Sequence, residues 1–186
     1  MTVPTRQVAL LRGINVGRNK RVAMADLRRL LQDLGYTDVI THLNSGNAVF
    51  TSPLDPSASA EGIEQALVRE LGVAAKVVVR THAELAAAVD ANPLRAVATD
   101  PAKQLLGFLS ATPDAERVRA LALPTGDGAD DDQFRIIGKH LYLWCPRGVL
   151  DSMFSTVDWD KRLGVATTMR NWNTATRLVA LSDPSA

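Results

Sequence analysis

The segment Arg12-Gly13-Ile14-Asn15-Val16-Gly17-Arg18-Asn19-Lys20-Arg21 places four cations, two glycines and two asparagines within ten residues. Two further segments rich in hydrogen-bond donors are Asn44-Ser45-Gly46-Asn47 and Thr168-Met169-Arg170-Asn171-Trp172-Asn173-Thr174. The chemistry these residue types offer is recognition of negative charge. Glycines let the backbone approach a ligand and take positive φ. A loop that leads into a helix presents unpaired N–H groups to an anion. The residues expected to contact a ligand are Arg12, Gly13, Asn15, Gly17, Lys20, Ser45, Asn47, Arg170 and Asn171. The spacing matches neither the Walker A loop nor the dinucleotide fingerprint.

Catalytic groups and cofactors stay unassigned at this level. His42, His82 and His140 lack metal-ligand spacing, so no metal site is expected. No Ser-His-Asp arrangement follows from the order of residues. Each polar motif also has a structural explanation. The asparagines suit turns, because they tolerate the left-handed region or bond their own backbone. Arg12 has Asp26 as a salt-bridge candidate, and Arg170 with Asn171 could tie the last helix to the first loop. Trp144 and Trp172 read as core anchors, Cys145 as a buried inert thiol, Asp130-Asp131-Asp132 as a solvated acidic loop and His82 as exposed.

The elements that must position these residues follow from periodicity and turn chemistry. Gln7–Leu11 is an apolar strand. Met24, Leu27, Leu30, Leu31 and Leu34 recur at helical spacing, with Gly35 as the stop. Asp38–Leu43 and Ala48–Thr51 form strand arms around a two-residue turn at Ser45-Gly46. A helix covers about Ser57 to Leu71, then a strand Lys76–Arg80, then a helix opened by a Thr81/Glu84 capping box. Lys103–Ser110 is a strand, and Thr112-Pro113 caps a helix over Asp114–Leu121. Gln133–Ile137 and His140–Cys145 pair as a hairpin. Short helices over Leu150–Phe154 and Asp158–Leu163 precede a last helix starting near Arg170, with Thr167 or Thr168 as its cap.

Strand, helix, strand, turn, strand describes residues 7–51 and again 103–145. The first copy continues with a helix and a strand, which completes a ferredoxin-like order. The second copy reads as followed by helices only. The expected class is α+β: two ferredoxin-like (α/β plait) sub-domains with C-terminal helices, spanning 1–80 and 81–186 and packed as one compact unit. Alternating strand direction puts the Gly13–Arg21 loop and the Ser45-Gly46 turn at one edge of the sheet. Placing the C-terminal segment there rests on a weaker argument.

Bulk properties exclude some classes. The 186 residues are 46% hydrophobic and 22% charged, with a net charge of +1. Those values belong to an ordinary globular chain with no global pull toward nucleic acid or membrane. Residues 1–50 nevertheless hold seven Lys/Arg against three acids, so positive charge gathers around the first loop. No apolar run has membrane-spanning length, and no signal peptide is expected from the start of the chain. The single cysteine fits a reducing cytoplasm.

Five stretches resemble a large family of uncharacterised bacterial proteins, the domain of unknown function 1697 family. They are Leu10-Leu11-Arg12-Gly13-Ile14-Asn15-Val16-Gly17, Met24-Ala25-Asp26-Leu27-Arg28, Ser45-Gly46-Asn47-Ala48-Val49-Phe50, Asn92-Pro93-Leu94 and Arg170-Asn171-Trp172-Asn173-Thr174. The resemblance implies the two-sub-domain fold and no particular activity. This chain departs from the family pattern at Gly17-Arg18, where Gly-Gly is frequent, at Ala23, where proline is frequent, and at His42-Leu43-Asn44, where Tyr-x-Gln is frequent.

Three functions compete. The first is a site for a small anionic, phosphate-bearing metabolite. The second is an RNA or nucleic-acid module, disfavoured because the first strand has no aromatic, its neighbours offer only Phe50, and the charge is near neutral. The third is a structural or protein-interaction module. An open cleft lined by Arg12, Asn15, Asn47 and Arg170 would favour the first; a dry junction with every asparagine paired to backbone would favour the third.

Overall fold

A computed structural model describes residues 3–16, 20–123 and 125–185. The chain falls into two compact units, one from 1–87 with 177–186 and the other from 88–176.

The first unit is built as β1 (Thr5–Leu11), α1 (Met24–Asp33), β2 (Thr37–His42), β3 (Asn47–Ser52), α2 (Pro56–Leu71) and β4 (Val77–Thr81), with α3 (His82–Asp90) following. Its sheet has the order β2-β3-β1-β4, all neighbours antiparallel. This is the ferredoxin-like plait. Leu27, Leu30 and Leu31 of α1 and Ile63, Ala66 and Leu67 of α2 cover one face of the sheet, against Ala9, Leu11, Ala48, Phe50, Val77 and Val79. Phe50 stacks on Tyr36 at 4.7 Å between centroids. The alternate residues Val8, Leu10, Val49, Val78 and Arg80 are buried too, so both faces of the sheet are covered.

Local sequence sets the helix limits. Asp55 accepts from the N–H groups of Ser57 and Ala58 ahead of Pro56 at the first helical position. Gly72, at φ +64°, ends α2 in the left-handed region, and the N–H of Val73 closes onto the carbonyl of Leu67. The capping box of α3 is made as expected: Thr81 N–H donates to Glu84 at 2.8 Å and Glu84 N–H to Thr81 Oγ1 at 3.1 Å.

The second unit repeats the plait with β5 (Gln104–Leu109), α4 (Ala115–Arg119), β6 (Gln133–Ile137), β7 (His140–Trp144), α5 (Trp159–Leu163), β8 (Thr167–Asn171) and the start of α6 (Trp172–Ser182). Its sheet order is β6-β7-β5-β8, again antiparallel. Leu109, Leu141, Leu143 and Cys145 pack on Phe154, Trp159 and Leu163. Both sheets, each with helices, establish the α+β class with two related units and a C-terminal helix.

Four local expectations are corrected. The second copy has its fourth strand, β8, where helices alone were expected, so Arg170 is a strand residue and α6 begins two residues later. The β2–β3 connection has four residues, with Leu43 at φ +59° and Gly46 at φ +85°. Asp114 caps α4, accepting from Glu116 and Arg117 N–H groups. Asp132 is buried, because its Oδ2 accepts from Ser152 Oγ at 2.8 Å and Met153 N–H at 2.9 Å.

Candidate functional site

β1 ends at Leu11, and Arg12 extends its pairing: the Arg12 N–H donates to the carbonyl of Lys76 at 2.8 Å. Antiparallel order makes this unavoidable, since the end of β1 lies beside the start of β4. The chain then turns at Gly13, φ +65°, where a Cβ would meet nothing within 4 Å. The backbone is therefore open to solvent at this point. Arg12, Gly13 and Lys20 line a surface hollow of about 490 Å³ together with Glu64, Val68 and Lys76.

Among the described residues, three cations and one carboxylate line that hollow. Glu64 is already engaged, by Lys76 Nζ at 2.9 Å and by the Val77 N–H at 2.9 Å. The start of α1 does not line the hollow among the described residues, and the helix lacks a side-chain cap. Asp26, the acid considered for Arg12, pairs with Arg29 at 3.0 Å.

The loop and the β2–β3 turn meet, as strand direction requires. Asn15, at φ +56°, holds them together. Its Oδ1 accepts from Val22 N–H at 2.9 Å, while its Nδ2 donates to the carbonyls of Val22 and Asn44, each at 2.8 Å. The Leu11 N–H donates to the Gly46 carbonyl at 2.8 Å. Asn47 is fully buried and donates to the His42 carbonyl at 2.8 Å and to Ser45 Oγ at 3.0 Å. These amides and Ser45 shape the loop. Gly17, with Arg18 and Asn19, lies outside the described residues.

Arg170 and Asn171 belong to the second unit. Arg170 is buried and donates to Thr168 Oγ1 at 3.0 Å and to the Met169 carbonyl at 2.8 Å; burial lowers its pKa to about 10. Asn171 Oδ1 caps α6 by accepting from Thr174 N–H at 2.9 Å. Arg80 occupies the matching place in the first unit, on β4 before the capping Thr81, and burial lowers its pKa as well.

Lys76 and Glu64 escaped the sequence reading of the site, although Lys76 was placed at a strand start. The signal was available: a ferredoxin-like order sets that start beside Arg12. Cys145 is fully buried, and burial chiefly pushes its thiol pKa up, as an inert thiol requires. His82 is part-buried, with Nδ1 at 2.9 Å from Ser182 Oγ, not exposed. Among the described residues no cluster of His, Cys, Asp or Glu is arranged to hold a metal, and no helix is long and apolar enough to cross a membrane.

A solved structure described as that of the conserved bacterial protein SP0830 from Streptococcus pneumoniae shares this fold, with a TM-score of 0.77 at 22% identity over 97% of this chain and 100% of that one. No curated protein matches the chain. A family model described as "Protein of unknown function (DUF1697)" matches residues 5–142, and the chain belongs to that family.

Proposed function

We propose that the protein binds a small anionic, phosphate-bearing metabolite, in the cytoplasm, at the hollow beside the end of β1. The observation that carries this reading is the charge of the wall: Arg12, Lys20 and Lys76 face one space with Glu64 as the opposing acid. Gly13 leaves the backbone exposed there, which suits close approach of phosphate oxygens. In this reading Asn15, Ser45 and Asn47 hold the loop in shape, and Arg12 with Lys20 supplies the attraction. Arg170 and Asn171 have structural work in the second unit that accounts for them without a ligand.

Nucleic-acid recognition has less support. Phe50 is fully buried against Tyr36 and offers no stacking surface. The purely structural reading gains from Asn15 and Asn47, whose amides donate to backbone carbonyls and do not line the hollow; it does not call for the cationic wall of Arg12, Lys20 and Lys76. Thermal denaturation with pyrophosphate, sugar phosphates and nucleotides tests the proposal. A ligand at a hundred times its Kd should stabilise the protein by about 2.7 kcal/mol. Arg12→Ala and Lys20→Ala should each remove most of that gain. No stabilisation of the wild type by any of these anions would reject it.

A further inference from the structure

The second unit holds a separate hollow of about 330 Å³, lined in part by Asp90, Asn92, Arg95, Gln104 and Trp172. It joins two stretches that the anion site does not use, Asn92-Pro93 and the Trp172 that opens α6. Its volume falls at the lower end of small-molecule sites, about 300–1,000 Å³.

Hydrogen bonds hold Asn92, Gln104 and Arg95, whose spare groups are mostly donors, while the Asp90 carboxylate adds acceptors to the lining. Gln104 Nε2 donates to Asn92 Oδ1 at 2.9 Å, and Asn92 Nδ2 faces Gln104 Oε1 at 3.4 Å. Asn92 Oδ1 also accepts from the Leu94 N–H at 3.0 Å, so its acceptor capacity is used and its second amide hydrogen is spare. Arg95 Nη2 donates to the Asp90 carbonyl at 2.7 Å, which orients the guanidinium while leaving its other donors available. Trp144 and Trp159 are core residues, at 3% and 5% exposure, whereas Trp172 is only partly buried. The indole N–H of Trp172 donates to no described residue; that of Trp144 donates to the Ala129 carbonyl at 2.7 Å. An aromatic face, a planar cation and a locked amide therefore border one ring-sized space in which donors predominate.

We propose that this hollow is a second binding site, for a planar ring that carries oxygen acceptors along one edge. Trp172 supplies the stacking face, and Arg95 with the Asn92 amide reads the oxygens. Two sources share that chemistry: an oxo-substituted nucleobase and an aromatic carboxylate. The site is independent of the anion hollow and uses none of its residues.

Saturation-transfer NMR on the full chain with uridine, guanosine and nicotinate, each without phosphate, tests it. Ring protons should receive saturation from the protein. Trp172→Ala should weaken binding about tenfold, the scale of one lost base–aromatic stack. Arg95→Ala, at an exposed residue, guards against a fold defect in the first variant, and circular dichroism checks both. Saturation of the nucleosides alone assigns the nucleobase class, and of nicotinate alone the carboxylate class. Loss in either folded variant supports the site. No ring saturation from any of the three, or saturation unchanged in both variants, overturns it. Nicotinate held only by the cationic hollow of the first unit would give that unchanged result.

Discussion

Asn15 makes three hydrogen bonds from one side chain at a positive φ, and this explains why an asparagine stands there. Asn15→Ala should cost about 2–3 kcal/mol in urea denaturation, since Val22 is buried and loses partners for both its backbone groups. Asn15→Asp should be worse, because a carboxylate would face two carbonyl oxygens where the amide donates. Equal stability of wild type and Asn15→Asp would refute the clamp. The tyrosines give a second test at this scale. Burial raises the pKa of Tyr36 and pushes Tyr142 up to about 12, while Tyr142 Oη donates to the Ala88 carbonyl at 2.8 Å. A folded pKa above the unfolded value of about 10 means a contribution fully present below pH 10. It is lost as pH rises from about 10 to about 12, at about 1.4 kcal/mol per unit of separation. Phenolate absorbance should appear late and together with loss of structure; ionisation of both tyrosines near pH 10 in the folded protein would contradict this.

At the scale of elements, the β2–β3 turn depends on Gly46. A Cβ there would lie 2.7 Å from Ile14 Cδ1 and 2.9 Å from Leu11 Cβ, at φ +85°. Gly46→Ala should therefore destabilise by about 2–4 kcal/mol, combining left-handed strain with overpacking. A melting temperature unchanged by Gly46→Ala would show that the turn relaxes freely. Sequence made this turn visible through its glycine, but missed its length, because Leu43 takes a left-handed conformation that nothing in its side chain announces. Leu27, Leu30 and Leu31 revealed α1 by spacing, and Thr81 with Glu84 revealed the start of α3. β8 was illegible for a different reason. Only Met169 is apolar in Thr167–Asn171, and buried Thr168 and Arg170 stand where an alternating strand would carry apolar residues. Polar residues buried on the second face of each sheet, among them Arg80, Gln104 and Arg170, erase the period on which strand recognition depends. The same limit applies to the cationic hollow: Arg12 and Lys20 stood out as cations, whereas Lys76 joins them only through the antiparallel pairing of β1 with β4, and Glu64 of α2 through its bonds to Lys76 and Val77.

For the whole molecule, two units of one topology each bury a packed core, and Cys145 lies in that of the second. Cys145 reports on that core. Its fully buried, poorly acidic thiol should resist a disulfide reagent in the native protein and react at a rate that rises with denaturant. Fast labelling without denaturant would mean that the second unit opens readily. The functional claim rests on the positive wall at the end of β1, and amide chemical-shift mapping during titration with pyrophosphate reads it most directly. The account predicts saturable shifts concentrated at Arg12, Gly13, Lys20 and Lys76, abolished in Arg12→Ala. Shifts scattered over the surface without saturation, or none at these four residues, would contradict it.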